Sequence, residues 1–149
     1  MNADYVATVY NNYQYSNAKH YSILLLDDEL DITVILKKGL EAQAPFNVYT
    51  YNDPEDALGS LSEIHYDIMI IDIILPKMSG FEFYRRAQQL DGNSKVFFMT
   101  ASQNYYEEYK KKYPMWNGNC FILKPVSLSS LVTLLMSEIG SKSEREPYN

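Results

Sequence analysis

Acidic residues follow short apolar runs at two separate places in this chain of 149 residues. Asp27 and Asp28 follow the run Ile23–Leu26, and Asp72 follows the run Ile68–Ile71. Carboxylates held close together repel one another, at a cost of about 1 kcal/mol or more per contact, unless one is protonated or a cation lies among them. Oxygen ligands without His or Cys favour Mg²⁺ or Mn²⁺ over Zn²⁺. If the fold brings these carboxylates together, they predict a divalent cation site.

Two further polar residues stand in the same kind of position. Thr100 follows the apolar run Val96–Met99, and Lys124 follows Cys120–Leu123. Taken singly, such residues are more often caps, turn residues or surface charges than parts of a site, and Asp28 could simply cap the helix after it. It is their shared placement at the ends of apolar runs that indicates a functional site.

Five strand patterns alternate with five helix patterns along the chain. The apolar runs are continuous, which is typical of strands covered on both faces. Parallel neighbours need helical crossovers, so the alternation predicts an α/β fold with a doubly wound, five-stranded parallel sheet flanked by five helices. The carboxyl ends of such strands share one edge, where we expect the three carboxylates, the hydroxyl and the ammonium to meet. The predicted strands are Ile23–Leu26, Phe46–Tyr51, Ile68–Ile71, Val96–Met99 and Cys120–Leu123, and the helices lie at about 30–43, 53–64, 81–90, 104–113 and 127–140.

The pattern predicts one domain over residues 22–140. Residues 1–21 hold five of the 14 tyrosines and are expected to form a flexible extension, or one that lies over the domain. A contact segment for a partner is the alternative for this extension. Residues 141–149 are expected to form a tail after Gly140 ends the last helix.

Composition excludes several classes of function. Thirteen basic and 19 acidic residues give a net charge of −6, which argues against direct binding to nucleic acid or to an anionic membrane. A single cysteine, Cys120, excludes an internal disulfide and a cysteine-based zinc site, and it fits a cytoplasmic location. Apolar runs of about four residues are too short for a transmembrane helix, and we expect no signal peptide.

The segment from about Ser22 to Gly140 resembles the receiver domain of two-component response regulators, of the stand-alone, CheY-like type. Each matching piece is weak singly, but together they occur in the family's order and each stands at a predicted strand end. The resemblance implies a flavodoxin-like sheet. The matching pieces are Leu26-Asp27-Asp28, Ile70 to Gly80 (IIDIILPKMSG), Met99-Thr100-Ala101 and Phe121-Ile122-Leu123-Lys124-Pro125.

The resemblance implies a role for the acidic residues. Asp72 resembles the phospho-acceptor of the family. Asp27, Asp28 and Asp72, with the backbone carbonyl of Ile74, resemble the ligands that hold Mg²⁺, with Mn²⁺ as an alternative ion. The implied function is a signalling receiver rather than an enzyme, one that at most catalyses its own phosphorylation and dephosphorylation.

The resemblance also implies roles around the phosphoryl group. Lys124 would pair with the phosphoryl oxygens, and Thr100 would donate a hydrogen bond to them. Phe121 matches the aromatic switch residue that the family couples to this threonine. The small Ala101 leaves access to Asp72 open. The apolar Ile74, two residues after Asp72, predicts slow self-dephosphorylation.

The implied partners are proteins. A sensor histidine kinase or a phosphotransfer protein would supply the phosphoryl group, and a downstream protein would bind the face formed by the fourth helix, fifth strand and fifth helix. A homodimer through this face is left open. The tyrosines of the fourth helix could serve as such a docking or dimer face, or simply belong to a solvated helix: Tyr105, Tyr106, Tyr109 and Tyr113.

Other readings fit less well. A phosphatase of the haloacid dehalogenase type would need a second Asp where this chain has Ile74. A dinucleotide-binding domain would need glycines where it has Asp27-Asp28-Glu29. A degenerate receiver that binds partners without phosphorylation is the main alternative. The chain as a fragment of a longer regulator also stays open.

Overall fold

The computed structural model describes residues 19–112 and 120–143, together with the isolated residue 3. In this part of the chain, strands and helices alternate from β1 to α5. The strands are β1 Tyr21–Leu26, β2 Phe46–Tyr51, β3 Ile68–Asp72, β4 Lys95–Thr100 and β5 Phe121–Leu123. The helices are α1 Leu30–Gln43, α2 Pro54–Ser60, α3 Gly80–Leu90, α4 Gln103–Lys112 and α5 Leu128–Ser143.

The strands form one parallel sheet in the order β2-β1-β3-β4-β5. The chain moves from β1 to one side for β2 and then crosses to the other side for β3, so the strand order reverses beside β1. Ligands of doubly wound sheets bind at such a reversal, outside the carboxyl ends of the strands. The predicted fold class is therefore confirmed, and β1 and β3 are the strands that frame the crevice.

Each face of the sheet is covered by a separate apolar layer, which explains the continuous runs in the strands. Helices α1 and α5 cover one face, where Leu36 and Leu40 pack with Leu131 and Leu135. Helices α2, α3 and α4 cover the other face. Its layer includes Leu24, Met69, Ile71, Ala57, Phe83, Ala87, Phe98 and Phe121.

Most helix boundaries follow local capping chemistry. The Asp53 carboxylate accepts a hydrogen bond from the Glu55 N–H at 2.8 Å, and Ser127 Oγ accepts one from the Ser130 N–H at 3.1 Å. Helix α2 ends at Ser60 rather than near residue 64. The prediction that Gly140 ends the last helix is wrong, because α5 continues to Ser143. A glycine inside a helix costs only about 1 kcal/mol relative to alanine, which a helix anchored in the core tolerates.

Some predictions lie outside the described residues. They concern most of the extension before β1, Tyr113 in the predicted fourth helix, and the tail beyond residue 143. Strand β1 begins at Tyr21, one residue earlier than the predicted domain boundary. Among the described helices, none combines the length and the apolar character that crossing a bilayer requires.

Candidate functional site

The three carboxylates meet at the carboxyl edge of the sheet. Leu26 of β1 pairs with Ile71 of β3, so Asp27 and Asp72 follow neighbouring positions on adjacent strands. One carboxylate oxygen from each of Asp27, Asp28 and Asp72 lies within 4.8 Å of the others. Asp27 and Asp72 are buried, whereas Asp28 is exposed. The edge therefore presents a compact acidic cluster with one member open to solvent.

Lys124 supplies a positive charge to this cluster from the end of β5. Its Nζ lies 2.9 Å from Asp27 Oδ2 and 2.7 Å from Asp72 Oδ2. The lysine side chain is 12% exposed, so both ion pairs lie largely out of solvent. Residues separated by 97 positions in the chain thus form one charged site, as the strand-end placement predicts.

Burial and the neighbouring charges shift the pKa values of Asp72 and Lys124. Burial raises the pKa of Asp72 and the charge of Asp27 raises it further, against the lowering effect of the hydrogen bond from Lys124. Burial would lower the pKa of Lys124, but hydrogen bonds to Asp27 and Asp72 outweigh it and raise that pKa. Lys124 therefore stays protonated, yet one ammonium leaves three carboxylates undercompensated. The cluster favours any added positive charge.

Backbone groups hold the two buried carboxylates in place. Asp27 Oδ1 accepts a hydrogen bond from the Glu29 N–H at 2.9 Å, and Asp72 Oδ1 accepts one from the Ile74 N–H at 3.0 Å. The N-cap of α1 is Glu29, and its side chain makes no capping hydrogen bond. Asp28 is therefore not the cap of α1, which leaves its exposed carboxylate available at the site.

Thr100 ends β4, Ala101 follows it, and Phe121 begins the neighbouring strand β5, where it pairs with Phe98. Thr100 is buried, and its Oγ1 accepts a hydrogen bond from the Ser102 N–H at 3.2 Å. Ala101 is exposed directly after it. Phe121 is buried in the layer under α3 and α4, stacked on Phe98 with ring centroids 5.8 Å apart. The roles of these three residues at a phosphoryl group stay predictions.

The loop after β3 is shaped by a close backbone approach. The Gly80 N–H donates to the Ile73 carbonyl at 2.8 Å. A Cβ on Gly80 would lie 2.3 Å from the Asp72 carbonyl oxygen. In the same loop Lys77 has a φ of 70°, and its Nζ lies 2.6 Å from Asp53 Oδ2 at the start of α2. The loop that carries Ile74 is thus fixed at both of its ends.

The donor set suits a small hard cation. Three carboxylates within 4.8 Å offer oxygen ligands, and one of them is exposed. Mg²⁺ usually keeps several waters and binds through one or two protein carboxylates, so the set has enough ligands for it. The Ile74 carbonyl follows Asp72 by two residues, and its part as a ligand remains a prediction.

Sequence reasoning missed two residues that support the acidic loop. The Asn52 side chain donates to the Asp27 carbonyl at 2.8 Å and to Thr33 Oγ1 at 3.1 Å. Asn52 directly follows β2 at the same sheet edge, so the rule that selected the other polar residues also applies to it. Thr33 lies inside α1, where nothing in the sequence separates a buried threonine from a solvated one.

The chain matches one protein family over most of its length. Residues 23–136 match the family model of the response regulator receiver domain. The transcriptional regulatory protein TrcR of Mycobacterium tuberculosis is 27% identical over 125 residues, which cover 83% of this chain and 47% of that protein. The response regulator receiver protein CpdR of Brucella abortus is 35% identical over 79 residues, which cover 53% of this chain and 65% of that protein. The chain thus spans about half to two thirds of these relatives.

Solved structures show the same fold. A CheY-like receiver domain protein from Methanospirillum hungatei superposes with a TM-score of 0.71 at 20% identity, covering 86% of this chain and all of that one. Chemotaxis protein CheY4 of Vibrio cholerae superposes with a TM-score of 0.69 at 22% identity, covering 80% of this chain and 98% of that one. Together with the family match, these results show that the chain belongs to the response regulator receiver domains of two-component systems.

Proposed function

We propose that Asp72 accepts a phosphoryl group with the help of Mg²⁺ or Mn²⁺, and that the phosphorylated domain switches a protein-interaction surface. The observation that carries the proposal is the site itself. Lys124 Nζ lies 2.7 Å from Asp72 Oδ2 within a cluster of three carboxylates, in a chain of the receiver family.

The transfer is a displacement at phosphorus. An Asp72 carboxylate oxygen forms the new O–P bond while the bond from phosphorus to the donor breaks, and its electron pair leaves on the donor's imidazole nitrogen or carboxylate oxygen. Lys124 is placed to neutralise charge on the phosphoryl oxygens. A divalent ion bound by Asp27, Asp28 and Asp72 would supply further neutralisation and orientation.

Phosphorylation replaces a carboxylate of charge −1 by an acyl phosphate of nearly −2, with new acceptor oxygens. The Lys124 ammonium and the Thr100 hydroxyl are the groups that can bind the new phosphoryl oxygens. Thr100 ends β4, shortly before α4 begins. Helix α4 has no fully buried residue among those described and packs on the core layer through the partly buried Tyr106 and Tyr109, so it is held by few buried contacts. An output surface of α4, β5 and α5 is therefore the part we expect to change.

Receiver domains act with histidine kinases and phosphotransfer proteins in two-component signalling, and we propose such a protein as the phosphoryl donor. We propose a downstream protein, or a second copy of this chain, as the ligand of the output surface. A cytoplasmic location is part of the proposal, supported by the buried free thiol of Cys120.

The test is the intact mass of the protein after incubation with acetyl phosphate and Mg²⁺. Wild type should gain about 80 Da, the mass of one phosphoryl group, and Asp72→Asn should not. Asp56→Asn is the matched control, because Asp56 is an exposed acid in the first turn of α2. It should be modified as fully as wild type.

The result also decides the alternative. An equal mass gain in Asp72→Asn would remove Asp72 from the assigned role. A folded wild type that gains no mass from acetyl phosphate, and none from a phosphorylated phosphotransfer protein, would leave a phosphorylation-independent interaction module.

A further inference from the structure

We propose that Asn52 is a positioning residue for the cation site, acting by holding the backbone on both sides of Asp28. The inference rests on the proposed function, because it concerns the ion that would bind there. In the described part of the chain, the Asn52 side chain makes no hydrogen bond to a carboxylate of the cluster; it bonds to the Asp27 carbonyl and to Thr33. Its influence on the ion would pass through the loop between β1 and α1.

One amide group bridges the two ends of this loop. Asn52 Nδ2 donates one hydrogen bond to the Asp27 carbonyl at 2.8 Å and another to Thr33 Oγ1 at 3.1 Å. Thr33 Oγ1 in turn donates to the Leu30 carbonyl at 2.9 Å. The chain of bonds therefore ties the residue before Asp28 to the first turn of α1 after it.

Asp28 depends on this bridge more than its neighbours do. Asp27 and Asp72 are each held by a backbone N–H and by Lys124. In the part of the chain that the structure describes, no hydrogen bond donor reaches the Asp28 carboxylate. The direction of that carboxylate is therefore set by the backbone around it. A loop that moves would displace Asp28 first and would affect the ion before it affects the ion pairs of Lys124.

The side chain at 52 has to be a double donor. The carbonyl of Asp27 can only accept, and Thr33 Oγ1 already uses its proton on Leu30, so both partners need a hydrogen from outside. The two hydrogens of the Asn52 amide meet that need. A carboxylate there would place oxygen against oxygen, and alanine would leave the buried Thr33 hydroxyl without its donor.

The test measures ion affinity separately from stability. The dissociation constant of Mn²⁺ is measured by electron paramagnetic resonance at a temperature at which every variant is folded, and apo stability is measured by urea unfolding. Asn52→Ala should weaken Mn²⁺ binding about tenfold, the lower end of what outer-shell partners of metal ligands usually contribute. Thr33→Val, which keeps the shape and removes the hydroxyl, should weaken it about threefold.

Two reference variants make the outcome specific. Asn47→Ala removes an exposed asparagine from β2, the strand that Asn52 follows, and should bind Mn²⁺ like wild type. Asp28→Asn removes the carboxylate itself and should weaken binding at least as much as Asn52→Ala. This order of affinities would support the bridge.

Failure of the inference and failure of the proposed function would look different. If wild type binds no Mn²⁺, the cation site of the proposed function is wrong. If wild type binds Mn²⁺ and Asp28→Asn binds it as tightly, Asp28 is not a ligand and the inference is overturned. If Asp28→Asn loses affinity while Asn52→Ala and Thr33→Val keep it, Asn52 has a structural role alone and the inference is overturned. A lower urea midpoint for Asn52→Ala with an unchanged Mn²⁺ constant leads to the same conclusion.

Discussion

Gly80 allows α3 to begin directly against the end of β3, and alanine at this position should disturb both stability and the site. An added Cβ would lie 2.3 Å from the Asp72 carbonyl oxygen and 3.0 Å from both Ile71 Cγ2 and Ile73 Cα. Two of these three atoms are backbone and cannot rotate away. The substitution Gly80→Ala must therefore push α3 off the strand or displace the main chain that carries Asp72.

The expected cost follows from two opposing effects. Overpacking of a tight site costs about 1–3 kcal/mol, and contact with backbone places this case at the upper end. Alanine in a helix gains up to about 1 kcal/mol over glycine. We expect a net loss of about 2 kcal/mol, which for a domain of this size lowers the melting temperature by about 4–8 °C. The added Cβ presses on the main chain of Asp72 itself, so we expect Mn²⁺ affinity to fall as well.

Thermal and urea unfolding of the apo protein measure the first effect, and a Mn²⁺ titration of the folded protein measures the second. Gly59→Ala is the matched control, since a Cβ there meets nothing within 4 Å. It lies inside α2 and should raise stability slightly without changing Mn²⁺ affinity. If Gly80→Ala were as stable as Gly59→Ala, the close approach would not constrain the loop as argued.

Two further predictions concern the phosphoryl lifetime and the buried hydroxyls. Ile74 is 54% exposed beside Asp72 and offers no group to orient water, so the acyl phosphate should persist for minutes or longer. Ile74→Asn should shorten this lifetime several-fold in a timed loss of the mass adduct, and a wild-type lifetime of seconds would contradict the reasoning. Tyr66 is buried, with its hydroxyl 2.8 Å from both Tyr51 Oη and Ser60 Oγ, so Tyr66→Phe should cost about 1 kcal/mol at pH 8. Burial raises the pKa of Tyr66 above its unfolded value, so this residue's contribution to stability is present below about pH 10 and is lost as the pH rises further. The urea midpoint should therefore decrease between pH 8 and pH 11 by less in Tyr66→Phe than in wild type. An equal decrease in both proteins would refute the assignment.

The fold and the meeting of the charged residues were predictable for one physical reason. Continuous apolar runs separated by helical patterns require a parallel sheet, and a parallel sheet places all its carboxyl ends on one edge. Asp27, Asp72 and Lys124 each stand at such an end, so their contact followed from the topology without any knowledge of side-chain geometry. The family match confirms the resemblance, while the roles that the resemblance implies for these positions stay predictions.

The supporting residues could not be identified in the same way. The role of Gly80 depends on a contact of 2.3 Å, which a single sequence does not reveal. The bridge from Asn52 to Asp27 joins residues 25 positions apart through one amide. For Thr100, the sequence predicted the position at the end of a strand. It did not predict that the hydroxyl accepts a hydrogen bond from the Ser102 N–H. Topology predicts which residues share an edge, while hydrogen bonding decides how each side chain is used.

In helix α4 the weak sequence pattern and the proposed movement on phosphorylation have the same physical cause. Its sequence lacks an apolar stripe, and the helix accordingly has no buried residue among those described. Tyr109 attaches it to Phe81 with ring centroids 4.6 Å apart, at the edge of the layer that contains Phe98 and Phe121. Segments with few buried contacts open at low free-energy cost. The polar residues that weaken the helical pattern of α4 also weaken its packing on the core. We therefore expect that a charge change at Asp72 moves α4 without disrupting either core layer.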